Sequence, residues 1–251
     1  MSKKIWITGA SSGIGKSLAL KFANSGWTVA ISARRENLLQ ELTKKNSNIF
    51  SFPLDVKNAK STEKVFQNII EEFKSLDICV FCTGIHDPDA EKNLNAEKIR
   101  EIMETNFFGT LNCIIAVNNY FKEKKSGHIS IVSSVAGYRG LPAASGYCAS
   151  KSALSSLAES LYFDFKRHNV RVSLISPGFI KTPMTDKNKF PMPMIKSPEF
   201  AAEKMFIGLT KKNVFEIHFP IAFTMMMKLL KIMPNWLFFL IVKKGMKTIK
   251  Y

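Results

Sequence analysis

The amino-acid sequence predicts a doubly wound α/β fold, a mostly parallel seven-stranded sheet with helices on both faces. Two observations carry that expectation. Short apolar runs rich in β-branched residues recur along the chain, and longer stretches with helical periodicity separate them. Strand alternating with helix implies right-handed crossovers that cover both faces of a parallel sheet. The third observation is TGASSGIG, a glycine-rich turn that follows the first strand directly, at the edge where such sheets bind ligands.

In chain order the strand-like runs are KIWITG, TVAISAR, NIFSFPLD, LDICVFCTG, GHISIVSS, VRVSLISPG and NVFEIHFP. Helical patterns fall between them: GKSLALKFANSG, NLLQELTKK, AKSTEKVFQNIIEEFKS, a long stretch from Asn95 to Lys125, and SALSSLAESLYFDFKRH. MTDKNKFPMPMIKSPEF has prolines and mixed polarity, as a loop over a pocket would. Residues 1–220 read as a single catalytic domain and 221–251 as an apolar, basic helical extension.

At 251 residues with 46% hydrophobic content, the chain has ample material for one core. The N-terminal apolar run stops after Ile5, Trp6 and Ile7, too short for a signal-peptide core, so a cytoplasmic protein is expected. Cys79 and Cys82 have C-x-x-C spacing but lie in a strand pattern, and no second pair completes a zinc set. All four cysteines read as small buried hydrophobes, with no metal site expected. His86, His128, His168 and His218 are scattered and read as surface or core residues. The net charge of +16 suits an acidic protein or an anionic membrane. No nucleic-acid partner is expected, because the basic residues lack aromatic interleaving and no recognition motif is visible.

Gly9, Gly13 and Gly15 in TGASSGIG let the backbone turn tightly and approach a ligand without a Cβ in the way. The free N–H groups at the following helix start attract a pyrophosphate. At the end of the second strand, SARREN places Arg34 and Arg35 where an acidic residue would accept from a ribose 2′-hydroxyl. An arginine fork there suits a 2′-phosphate, so NADP(H) is expected over NAD(H). Tyr147 and Lys151 in YCASK are spaced i to i+4 on one helix face, where an ammonium can stabilise a phenolate and lower the tyrosine pKa. Ser134 stands at the carboxyl end of the fifth strand, where its hydroxyl can hold a substrate oxygen. Ser133 is the neighbouring competitor, and alternation points the two in opposite directions.

TGASSGIG, Asn106 in ETNFFGT, Ser134 in IVSSVAG, YCASK and PGFIKTP occur in that order, and on them the chain resembles the short-chain dehydrogenase/reductase family over about residues 3–220. The resemblance implies a Rossmann-type domain with a catalytic set of Asn106, Ser134, Tyr147 and Lys151, in which Asn106 holds a water beside Lys151. It also implies cofactor contacts from Ser11, Ser12, Ile14, Gly84, Pro177 and Gly178. Lys151 would meet the nicotinamide ribose, Ile180 and Thr182 the carboxamide, and Asp55 and Val56 the adenine, although Asp55 also fits as a turn carboxylate. Cys82-Thr83-Gly84 departs from the family's usual Asn-Ala-Gly, keeping the glycine's backbone room but changing the side chains beside the expected cofactor site.

The expected activity is NADP-dependent interconversion of a carbonyl and an alcohol on a lipophilic substrate, with Tyr147 as general acid and base. An acyl-carrier-protein ketoreductase is the enzymatic alternative, and a non-catalytic nucleotide sensor or membrane-associated binding protein the alternative of another class. Excess apolar residues on the helices of about residues 95–121 and 145–166 suggest a homodimer or homotetramer. The tail after Phe219 has six lysines and no acid, and its apolar pieces are too short to span a bilayer. It fits peripheral contact with anionic membrane through Trp236, Leu237, Phe238, Phe239 and Leu240, or equally a helix over the cleft or on another subunit.

Overall fold

The computed structural model describes residues 2–188 and 190–248; Lys189, within the expected loop, and the last three residues of the tail lie outside them. Seven strands form one sheet: β1 (Lys4–Thr8), β2 (Thr28–Ser32), β3 (Ile49–Ser51), β4 (Ile78–Phe81), β5 (His128–Val132), β6 (Arg171–Pro177) and β7 (Glu216–Phe219). Their order is β3-β2-β1-β4-β5-β6-β7, and every neighbouring pair is parallel. The direction of winding reverses between β1 and β4, which opens a crevice beyond their carboxyl ends.

Alternation along the strands divides the core into two layers. Ile5 and Ile7 face one side, with Leu18 and Phe22 of α1 (Gly13–Asn24), Leu39 of α2 (Glu36–Thr43) and Met205 of α8 (Pro198–Lys211). Trp6 faces the other, against Phe66 of α3 (Ala59–Phe73), and its indole N–H donates to Ser32 Oγ at 2.9 Å. On that side lie also Val117 of α6 (Gly109–Lys124) and Leu154 of α7 (Ser145–Lys166). Ile115 and Phe163 stand 63% and 65% exposed on α6 and α7, the helices whose excess apolar residues suggested a subunit contact.

Three segments differ from the sequence pattern. The long helix after Asn95 is α5 (Ala96–Met103), one π-helical turn from Glu104 to Phe108, and then α6. Such a bulge re-aims the side chains it carries, and Asn106 is among them. The end of the expected loop, SPEF, instead starts α8, where the Ser197 hydroxyl caps the Phe200 N–H and Pro198 occupies the first turn. A short α4 (Pro88–Lys92) after β4 was also unforeseen, and Asp87 caps it through the Ala90 N–H.

Beyond β7 the chain makes α9 (Ile221–Ile232) and α10 (Asn235–Thr248). Phe223 and Met227 of α9 pack on Val135 and Tyr138. Arg139 ties the two helices together: its guanidinium donates to the carbonyls of Leu230, Lys231 and Met233 and lies 4.1 Å from the Phe238 ring centroid. The arginine thus satisfies carbonyls that the end of a helix leaves open. Among the described residues no helix is long and apolar enough to cross a membrane.

Candidate active site

A cleft of about 760 Å³ opens at the carboxyl ends of the strands. Its first wall is the turn after β1. Gly9 and Gly13 have φ of +68° and +55°, and a Cβ on Gly9 would stand 2.8 Å from the Cys82 carbonyl group. Only glycine fits a backbone so placed. Gly15 lies under Gly9, so the start of α1 presses against the turn and leaves its N-terminal amides facing the cleft.

The second wall is basic. Arg35 donates to Ser11 Oγ and Ser12 Oγ, each at 2.8 Å, which fixes the guanidinium beside the glycine turn. Arg34 and Val56 line the same end, as does Asp55, which accepts from the Lys57 N–H at 3.1 Å as a turn carboxylate. Opposite, Pro177, Gly178, Ile180 and Thr182 follow β6, and the Thr182 methyl would lie 2.9 Å from a Cβ on Gly13. The expected loop contributes Met184, Thr185 and Lys187 to the rim.

At the inner end stand Ser134, Tyr147 and Lys151. Lys151 is 3% exposed, and its ammonium donates to the Val132 carbonyl at 2.9 Å. Burial lowers its pKa to about 8. The two serines separate as alternation requires: Ser133 Oγ donates to the Lys151 carbonyl at 2.8 Å, while Ser134 reaches the Tyr147 phenol. Lys151 was expected to lower the Tyr147 pKa, and the balance here is the reverse. Burial pushes the phenol up to about 12, and the hydrogen bond from Ser134 is what opposes the rise. The Lys151 ammonium, 5.7 Å from the centre of the phenol ring, is turned to the sheet.

Asn106 alone of the expected residues does not line the cleft. It is fully buried behind Gly84 and clamps the chain after β4. Its amide donates to the Ile85 carbonyl at 3.0 Å, and its carbonyl accepts from the Ile85 N–H at 2.8 Å. A Cβ on Gly84 would lie 3.4 Å from Lys151 Nζ and 3.5 Å from Asn106 Oδ1, so the two groups flank the glycine. Cys82 also reaches the cleft, its thiol pushed up to about 11 by burial and partly offset by Lys151.

His86 was read as a surface or core histidine, yet it lines this cleft, with its ring 4.6 Å from that of Tyr147. Its partner, Glu91, is 2% exposed and carried no signal in the sequence. Only the folding of the chain after β4 brings these two to α7. No group of three or more metal-ligating side chains occurs among the described residues.

The model of the short-chain dehydrogenase family matches residues 3–191. This chain belongs to the short-chain dehydrogenases. An uncharacterised oxidoreductase of Myxococcus xanthus is 36% identical over 236 residues, covering 92% of this chain and 93% of that one. The 3-oxoacyl-[acyl-carrier-protein] reductase FabG of Staphylococcus aureus is 30% identical, over 74% of this chain and 78% of its own. Among solved structures, ElxO with NADP bound is 25% identical with a TM-score of 0.78, over 87% and 98% of the two chains. As a short-chain dehydrogenase the protein is an oxidoreductase of CH–OH and C=O groups that uses a nicotinamide cofactor.

The glycine geometry has a measurable consequence. Gly9→Ala combines a left-handed backbone with a clash against Cys82 and should cost roughly 1–3 kcal/mol in denaturant unfolding. Gly140→Ala, where a Cβ meets nothing within 4 Å, should change stability little.

Proposed function

We propose that the protein is an NADP-dependent carbonyl reductase, or the matching alcohol dehydrogenase, acting on a lipophilic substrate. The observation that carries the cofactor preference is Arg35, held by Ser11 and Ser12 beside the glycine turn with Arg34 next to it. The cleft has the features a dinucleotide needs: a backbone cradle that side chains would fill, amides at a helix start, and a basic end for a 2′-phosphate. When bound, the reduced nicotinamide supplies a hydride for the carbonyl carbon.

The chain's own residues handle the oxygen. Tyr147 Oη donates the proton that the developing alkoxide takes up, and accepts it back in the oxidative direction. Ser134 holds the phenol and shares charge on the substrate oxygen. Lys151 brings a positive charge to that end of the cleft and binds the cofactor ribose, and Asn106 holds the Gly84-Ile85 backbone beside it. Purified protein should consume NADPH with a panel of aldehydes, ketones, steroids and acyl thioesters, and Tyr147→Phe should lower kcat by about 10²–10⁴. Arg35→Ser should weaken use of NADPH by roughly ten- to a hundredfold and leave NADH unaffected, as expected for a lost charge-assisted contact. NADPH binding without turnover on any substrate would overturn the reductase reading. A preference confined to β-ketoacyl thioesters would favour the ketoreductase alternative.

The tail supports contact with an anionic membrane surface. Ile221, Leu229, Ile232, Trp236 and Phe239 are 54–77% exposed, and no acidic residue follows Glu216. Phe238 is not part of this face, being buried beneath Arg139. Apolar side chains among lysines suit the boundary of an anionic bilayer. The protein should sediment with phosphatidylglycerol vesicles and not with phosphatidylcholine vesicles, and Trp236→Ser with Phe239→Ser should release it. Failure to bind either vesicle, with a concentration-dependent rise in mass, would assign the face to another subunit.

A further inference from the structure

An imidazole that lines the cleft and a carboxylate behind it have no use in the hydride-transfer reading. Glu91 lies on α4 with both oxygens committed. Oε2 accepts the backbone N–H of Tyr147 at 2.9 Å, and Oε1 meets His86 Nδ1 at 2.7 Å. The carboxylate is enclosed, and the His86 side chain is only 9% exposed. A buried carboxylate is strongly disfavoured unless it is paired and hydrogen-bonded, so this arrangement is built and not incidental.

Each contact has a separate consequence. Tyr147 lies in the first turn of α7, where backbone N–H groups lack helical partners. Glu91 satisfies that N–H and places a negative charge at the positive end of the helix. It thereby fixes the turn that carries the phenol. The loop is held from its other end too, because Asn106 clamps Ile85, the residue before His86.

The second contact selects a tautomer. An ionised carboxylate only accepts, so Nδ1 of His86 carries a hydrogen, and in the neutral ring Nε2 is then a lone-pair acceptor. With Nδ1 committed to Glu91, Nε2 is the nitrogen left for the cleft that the ring lines. The ring lies 4.6 Å from that of Tyr147, centroid to centroid, so a substrate whose carbonyl meets the phenol has its neighbouring carbon on the His86 side of the cleft.

We propose that Glu91 is a positioning residue for Tyr147 and that His86 Nε2 is a specificity group, accepting a hydrogen bond from a hydroxyl on the carbon next to the substrate carbonyl. This rests on the carbonyl-reductase reading and narrows its substrate class to lipophilic α-hydroxy ketones and the corresponding vicinal diols. A site built to accept from a hydroxyl discriminates against the analogue that lacks it, because the buried acceptor is then left unpaired.

The test has two readouts. The first needs no turnover: ¹⁵N shifts of the His86 ring in the full-length protein at mildly alkaline pH, assigned by loss of the signal in His86→Phe. Hydrogen on Nδ1 in the parent is expected, moving to Nε2 in Glu91→Gln, whose amide donates to Nδ1 while its carbonyl keeps the Tyr147 N–H. Hydrogen on Nε2 in the parent would overturn the proposal. The second is the ratio of kcat/KM for 2-hydroxyacetophenone over 2-methoxyacetophenone, expected to be about tenfold in the parent and near one in His86→Phe and Glu91→Gln. A parent ratio near one, or a ratio that persists in both variants, would also overturn it. Absence of turnover on either ketone, with the expected ¹⁵N pattern, would count against the reductase reading and leave the tautomer assignment standing.

Discussion

The burial of the Lys151 ammonium is the constraint around which the carboxyl end of the sheet is organised. A charge 97% removed from solvent carries a desolvation cost that must be offset locally, and the Val132 carbonyl at the end of β5 meets it at 2.9 Å. That bond couples α7 to the sheet. Ser133 strengthens the coupling from the other direction by donating to the Lys151 carbonyl, and Gly137 is needed because a Cβ there would stand 2.8 Å from the same oxygen. With β5, the turn after it and α7 locked together, Ser134 and Tyr147 have little freedom relative to each other. In the proposed reaction, such fixed placement of the two hydroxyls would lower the reorganisation cost.

A second set of contacts holds the opposite lip. The chain leaving β4 has no regular structure until α4, yet Asn106 binds both backbone groups of Ile85, and Glu91 reaches across to the first turn of α7. These bonds replace the ladder that a strand or helix would provide. They also explain why the π-helical turn is tolerated, since it aims Asn106 inward from a stretch otherwise continuous with α5 and α6. The Cys82 N–H donates to Thr8 Oγ1, so the turn after β4 is also tied to the end of β1.

The architecture was legible in the sequence because it rests on periodicity, which is local. So was the divergence of the Ser133 and Ser134 side chains, whereas which of the two reaches the phenol came from the spacing to Tyr147 that the family resemblance supplied. The glycine turn and the Arg34-Arg35 pair were legible from their place at strand ends. His86 and Glu91 were not, because their partnership depends on how an irregular loop folds and no spacing rule encodes that. The contact between Tyr147 and Lys151 was legible only in part. Spacing places a lysine beside a tyrosine, but the path of Nζ to the Val132 carbonyl is a tertiary fact. Phe238 was assigned to the exposed tail face on composition, whereas Arg139, about a hundred residues earlier, turns it inward.

The account stands or falls on the state of that lysine. Burial without a carboxylate partner favours the neutral amine, so its pKa must fall; below about 8 the ammonium still predominates, and above it the charge is lost. Titration of the Lys151 side chain by NMR, in protein labelled at the lysine side chains and assigned with Lys151→Met, measures this directly. A midpoint near 8 is predicted. A midpoint at the ordinary lysine value of 10.5 would mean that the ammonium is solvated and that the sheet does not hold it.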